Sequence, residues 1–451
     1  MNAIVTDKDT SSTDLDRLAD IAADVIRLAR ARGASEADVA ASIDAGLSVG
    51  VRLGEVETVE RTRDRGVSLT VYFGKRKGSA STADLDPRSI EQTVEHACAI
   101  ARHTEEDPAN GLADPALLAR EIPDLDLWHP WDITPDEAIR LGIEIEAAGR
   151  AFDARIDNSD GASVQVGASM TAYANSNGFI GTERGTHHSL SVALIAEDAA
   201  GMQRDYWYDS VRDAGDFTDA AAIGRRAAER TVARLGARSL STRQCPVLFA
   251  PEAARSLIGH FLSAVSGGAL YRRASFLVDH VGQPVFPAWM QLCERPHIPR
   301  GHGSTAFDGE GVATRDSDLV RDGVLARYIL GSYSARKLGL ESTGNAGGIH
   351  NLLVESGPDD FAALLRRMGT GLVVTEVMGQ GVSTLTGDYS RGAAGFWVEN
   401  GQVAFPVEEI TIAANLRDMF AGIVAVGSDV DRRAQILTGS ILLDRMTVGG
   451  Q

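Results

Sequence analysis

The chain has 451 residues, enough for two or three domains, and 44% of them are hydrophobic, so a large core can be buried. A formal charge of -18 leaves no excess of Lys and Arg to meet a phosphate backbone, which argues against a nucleic-acid partner. No apolar run approaches the ~20 residues that span a bilayer, and three scattered cysteines without a CxxC pair argue against a disulfide framework or a zinc ribbon.

Residues 1–14 are polar and carry no apolar signal segment, which places the protein in the cytoplasm. Thr13 and Asp16 have the spacing of a helix cap, and Leu15, Leu18, Ile21, Val25 and Leu28 continue as an apolar stripe that Gly33 ends. Val49, Val51 and Leu53, then Leu69, Val71 and Phe73, alternate as antiparallel strands with one wet face. A second helix starts at Pro87 and carries Ile90, Val94, Ala97, Cys98 and Ala101 on one face, so Cys98 is a core residue. A Pro-rich connector over residues 107–134 leads to a helix opened by Thr134, Pro135 and Glu137. Alternation returns from Val164 to Ala174 and stops at the turn Ser176-Asn177-Gly178. A helix follows over residues 219–235. From Cys245 the pattern gives a strand, a helix and a long β-rich region punctuated at Gly323, Gly371 and Gly401. The fold class is therefore α+β. An N-terminal antiparallel sheet with helices occupies residues 1–240, and a β-rich domain occupies residues 241–451.

Familiar hydrolase chemistry is missing. There is no HExxH, GxSxG, P-loop or GxGxxG after a strand. His187 and His188 are adjacent, and neighbours on a strand point to opposite faces, so they cannot chelate one metal. Acidic residues cluster at Asp308-Gly309-Glu310 and at Asp316 and Asp318, a pattern that suits a cation or acid–base work but more often a solvated turn.

Three C-terminal stretches carry a family likeness. They are Phe307-Asp308-Gly309-Glu310-Gly311; Ser334-Ala335-Arg336-Lys337-Leu338-Gly339 with Ser342-Thr343-Gly344-Asn345-Ala346-Gly347-Gly348; and Met378-Gly379-Gln380-Gly381 with Gly387-Asp388-Tyr389-Ser390-Arg391-Gly392 and Gly395-Phe396-Trp397-Val398-Glu399-Asn400-Gly401. In order and spacing they resemble the TldD/PmbA metalloprotease family, and the last group is similar to its PmbA (TldE) branch. The resemblance implies a peptidase acting on unfolded or flexible peptides. In the family's catalytic branch an HExxxH helix and a late cysteine hold zinc, which activates water. Here that register falls on Gly259, His260 and Ala264. Both ligand positions lack donors, the base position holds His260 in place of Glu, and no cysteine follows Cys293. The resemblance thus implies no metal and no cofactor in this chain, a zinc-bearing TldD-like partner in a heterodimer, and a homodimer when the chain is alone. Substrate or interface contacts are expected at Asp308, Glu310, Thr343, Asn345, Asp388, Tyr389 and Arg391, the last three on a turn that displays them together. Two rival readings remain: a stand-alone hydrolase using Asp308, Glu310, His302 and Asp388, and a non-enzymatic peptide adaptor.

Overall fold

The computed structural model describes residues 8–450. The polar start of the chain, up to residue 7, lies outside the described residues. The N-terminal half runs α1 (Lys8–Ala31), β1 (Glu36–Arg52), β2 (Glu55–Phe73), β3 (Arg76–Thr82), α2 (Pro87–His103), α3 (Pro135–Arg150), β4 (Asn158–Asn175), β5 (Ile180–Asp198), β6 (Gly201–Val211) and α4 (Ala220–Ala233). Its six strands form one antiparallel sheet in the order β3-β2-β1-β4-β5-β6. Every second residue of β1 from Ala37 to Val51 is buried, so one face of the sheet meets the helices. α1 and α2 cover one end through Leu18, Val25, Leu69 and Val94. α3 and α4 cover the other through Ile145, Val164, Leu194 and Ile223.

Local signals explain most of these elements. Thr134 and Glu137 close a reciprocal capping box at the start of α3. Gly178, at φ +90°, turns β4 into β5. α3 and α4 touch where Gly224 has no side chain, since a Cβ there would lie 2.1 Å from the carbonyl oxygen of Ile145. One expected start is corrected. α1 begins at Lys8, more than a turn before Thr13. Thr13 is therefore an interior residue, because a cap needs extended backbone and the residues before it are already helical.

The C-terminal half runs β7 (Arg243–Phe249), α5 (Pro251–Ala264), α6 (Gly267–Tyr271), β8 (Leu292–Glu294), β9 (Ser317–Arg321), β10 (Val324–Leu325), α7 (Ser332–Leu338), β11 (Leu352–Val354), α8 (Phe361–Met368), β12 (Gly371–Met378), β13 (Asp388–Glu399), β14 (Gln402–Asn415), α9 (Leu416–Ala421), β15 (Ile423–Val426), β16 (Ile436–Leu437) and β17 (Ile441–Gly449). The larger sheet, β14-β13-β12-β7-β17-β15, also pairs β14 with β17 and so closes on itself. A second sheet has the order β10-β9-β8-β11-β16. α5 buries Leu257, Ile258, Phe261 and Ala264 in the largest core, where the Phe261 ring meets Phe286 edge-on at 4.9 Å. Gly323 and Gly401 are turn residues, at φ +74° and +75°. Gly371 is not. It begins β12, and the bend lies two residues earlier at Gly369, φ +70°, which closes α8.

The two halves are bound by side chains reaching across. Phe307 packs edge-on against Phe179 at 5.2 Å. Arg336 of α7 donates to three carbonyls of the connector, those of Ala109, Gly111 and Leu112. Beside it, Lys337 and the Tyr333 hydroxyl both reach Asp107 at 2.8 Å. Arg433 donates to the Tyr208 carbonyl at 2.7 Å and stacks over Trp207 at 4.2 Å. Among the described residues no helix is long and apolar enough to cross a membrane.

Candidate functional site

α5 leaves β7 through Ala250, whose extended backbone and lack of a side-chain cap are compensated by Pro251 at the first helical position. The helix then presents the three register positions to different surroundings. Gly259 faces open space, with no atom within 4 Å of where a Cβ would stand. Ala264 is fully buried. His260 packs against the ring of Tyr389 on β13, edge-on at 5.7 Å. The His260 Nε2 and the Tyr389 hydroxyl are both buried without a hydrogen-bond partner, an arrangement that costs desolvation energy and is uncommon in a plain structural core. Burial, with the Arg391 cation nearby, lowers the His260 pKa and holds the ring neutral. Burial pushes the Tyr389 phenol up to about 12.

The segment around Arg391 differs from expectation. Residues 388–392 lie within β13 and do not form a turn: all five pair with β14, while on the other side Gly392 meets β12 and Tyr389 bridges Val382. Alternation separates the side chains: Tyr389 and Arg391 share the face toward α5, while Asp388 and Ser390 take the other. Arg391 donates to the carbonyls of Val377 and Met378, both at 3.4 Å, and not to Asp388. Asp388 accepts from Thr386 Oγ1 at 2.6 Å and Asn415 Nδ2 at 3.3 Å. The hydrophobic run that follows does anchor the strand, with Trp397 and Val398 buried.

Asp308, Glu310, Thr343 and Asn345 gather elsewhere, under α7. Asp308 is 3% exposed and accepts the amides of Glu310, Val312 and Ala346 at 2.9, 3.0 and 2.9 Å. Burial outweighs those bonds and raises its pKa to about 6. Glu310 accepts the Ser332 amide at the first turn of α7, at 2.8 Å. Asn345 joins a buried network that sequence reading missed: Glu294 accepts from Arg327, from Asn345 Nδ2 at 2.8 Å and from the His350 amide at 2.6 Å. Thr343 Oγ1 donates to Asn345 Oδ1 at 2.8 Å. The available signal was Glu294 itself, a carboxylate inside the short apolar strand β8. His302 lies apart from both groups, bonded to the Ser210 carbonyl and meeting the His187 ring edge-on at 5.5 Å. Of the groups expected in a stand-alone hydrolase, Asp308 and Glu310 stand together, while His302 and Asp388 each hold other partners.

Sequence reading also missed a cavity of about 850 Å³ between the halves, lined by Trp207, Tyr208, Arg230, Glu252, Phe361 and Phe396. Several of its charged side chains are paired, Arg230 with Asp205 and Arg433 with Asp431 among them.

The residues present do not fit a catalytic zinc. Gly259 and Ala264 offer no donor, and His260 is turned onto Tyr389. Among the described residues no three His, Cys, Asp or Glu side chains converge on a metal position.

Comparison with known proteins identifies the family. The chain matches three models of the PmbA/TldA metallopeptidases: domain 1 over residues 37–101, the central domain over 128–235 and the C-terminal domain over 242–450. It is 49% identical to metalloprotease PmbA of Escherichia coli O157:H7, across 92% of each chain. It is 47% identical to a PmbA homologue of Haemophilus influenzae, across 94% of each, and 21% identical to that organism's TldD homologue, across 86% of this chain and 87% of the other. The fold superposes with a TM-score of 0.91 on a crystal structure from Bacteroides thetaiotaomicron described as a modulator of DNA gyrase, at 27% identity over 96% of this chain and 98% of that one. It superposes at 0.85 on TldE from Thermococcus kodakarensis, at 20% identity over 95% and 100%.

Proposed function

The chain belongs to the PmbA/TldD metallopeptidase family, and on that premise we propose that it is the metal-free subunit of a two-chain cytoplasmic peptidase. A TldD-like partner carries the zinc and the general base, and the pair degrades or processes unfolded, flexible peptides. One observation carries this reading. The helix that would hold the metal is kept and packed, with Phe261 and Ala264 fully buried, while its ligand positions are Gly259 and Ala264. A fold that retains the scaffold without its donors serves binding and assembly. Zinc in the partner supplies the Lewis acid and the activated water. This chain supplies shape and polar contacts, for which the half-buried Arg391 on β13, beside His260, is the best-placed group.

The test is metal content together with reconstitution. Purified without chelator, the chain alone should hold far less than one zinc per molecule and should not cleave an unstructured peptide. Mixed with an HExxxH-bearing chain of the same family, it should yield a cleaving complex. Zinc at full occupancy in the isolated chain, with activity, would overturn the reading in favour of a stand-alone hydrolase.

A further inference from the structure

The helices cover one face of the N-terminal sheet, and the other face meets the C-terminal half around Ala40, Tyr173 and Phe307. β1 turns Glu36, Asp38 and Ala40 toward that second face. Strand register sets Asp38 opposite Thr70 of β2 and Asn175 of β4, with Tyr72 opposite Glu36 and Tyr173 opposite Ala40. Asp38 therefore has a tyrosine on each diagonal, within reach of a long side chain. From the C-terminal half the loop 307–311 comes down on this face. Phe307 meets Phe179, and a Cβ on Gly311 would stand 3.1 Å from the Tyr173 ring. Glu310 is carried in with the loop.

This junction holds acceptors that lack donors. Asp38 is half-buried and has no hydrogen bond or ion pair among the described residues. Glu310 accepts the Ser332 amide through Oε2 at 2.8 Å, and its Oε1 meets no donor among the described residues. The hydroxyl of Tyr72, a residue 7% exposed, has no hydrogen-bond partner among them either. Nor has the Ser332 hydroxyl, at 5% exposure. Charge ties the group together: burial and then Asp38 raise the pKa of both phenols, and Glu310 acts on each in the same direction. Burial pushes the Asp38 carboxyl up to about 7, with Lys77 opposing and Glu310 adding to the shift. Lys77 stands opposite Tyr72 on β3, exposed, and forms no ion pair among the described residues. Buried polar groups without partners cost desolvation energy unless a ligand satisfies them.

We propose that this junction binds a primary ammonium group, held by Asp38 and Glu310 with the Tyr72 oxygen as third acceptor. An ammonium is a compact charge with three donors. The acceptors come from β1, from β2 and from the loop 307–311, and three separate elements suit diverging donors better than the planar fork of a guanidinium. In a half-buried cleft the attraction is stronger than it would be in water. The bearer of the ammonium rests on the peptidase reading above: it is a peptide, through its N-terminus or a lysine side chain.

Calorimetry on the full chain alone reads binding without cleavage, so a failed reconstitution leaves its result intact. Three matched unstructured peptides serve as probes: one with a free N-terminus and no lysine, one acetylated with a single lysine, and one acetylated without lysine. The first or the second should bind, and which of them binds identifies the bearer. The third should bind at least about tenfold more weakly, the worth of a charge-assisted hydrogen bond. Asp38→Asn keeps the size of the side chain and should weaken amine binding by about tenfold or more. Its melting temperature should not fall, because burial already disfavours that carboxylate. Lys77→Met removes the cation that competes for Asp38 and should tighten binding. Equal binding of all three peptides, or no binding of either amine at millimolar concentration, overturns the proposal. So does an Asp38→Asn chain that binds like the parent. Melting temperatures lowered alike by Asp38→Asn and Lys77→Met also overturn it, since that is how a plain internal ion pair behaves.

Discussion

Replacing Arg327 by Met should destabilise the C-terminal half more than any surface change. The Glu294 carboxylate is 3% exposed, and among the described residues Arg327 is the cation paired with it. The Met variant leaves that charge with two neutral donors, Asn345 Nδ2 and the His350 amide. It also takes from Ser317 Oγ the donor it has at 2.8 Å. Removing one member of a buried ion pair costs about 3–5 kcal/mol, a large part of the ~5–15 kcal/mol that holds a domain folded. Glu294→Gln combined with Arg327→Met removes the stranded charge, and the amide oxygen of Gln can still accept from Asn345 and His350. The double variant should therefore recover roughly 1–3 kcal/mol over Arg327→Met alone. Urea unfolding followed by tryptophan fluorescence, with Trp289 and Trp397 in the affected half, gives both numbers. An Arg327→Met loss below about 1 kcal/mol, or a double variant as unstable as the summed single changes, would refute the reasoning.

Burial pushes the His302 pKa down to about 4, so between pH 6.5 and 4 the unfolded chain takes up a proton that the folded chain does not. Stability should fall as pH drops through that window, by on the order of 3 kcal/mol in all, and His302→Gln should flatten the dependence of melting temperature on pH. Gly224→Ala drives a methyl into the Ile145 carbonyl and should cost about 1–3 kcal/mol or more. Gly259→Ala meets open space and should be neutral or stabilising by up to ~1 kcal/mol; thermal melts compare the two directly. Arg391→Ala, which loses only two long bonds to carbonyls, should fold normally and cut peptide cleavage by the reconstituted pair several-fold, and undiminished cleavage would remove Arg391 from the site.

The elements that could be read from the sequence were those with a local cause. The Thr134 capping box, the Asn177-Gly178 turn and the apolar face around Cys98 are each decided within a few residues, and the structure places them as read. Thr13 misled because a good cap sequence is no barrier when the preceding residues can also be helical. Residues 388–392 misled for a different reason: flanking glycines and polar side chains suggest a turn, but pairing with β14 overrides local preference. The missing zinc donors at Gly259 and Ala264 were visible because an absent side chain needs no fold to be recognised. The partner of His260 was not, since Tyr389 lies more than a hundred residues away and only the closed sheet brings the two rings together.

That closed sheet has a consequence for how the protein is made. β17 lies between β7 and β15 while also sealing β14. The first strand of the sheet thus waits for the last. On a ribosome the N-terminal half can complete its sheet once β6 has emerged, and domains fold in that order during synthesis. The C-terminal half cannot complete its sheet until β17 has emerged as well. Until then β7 and β12 have an incomplete sheet and expose apolar residues such as Val247 and Leu372, so this half stays open to wrong partners longer than the N-terminal one.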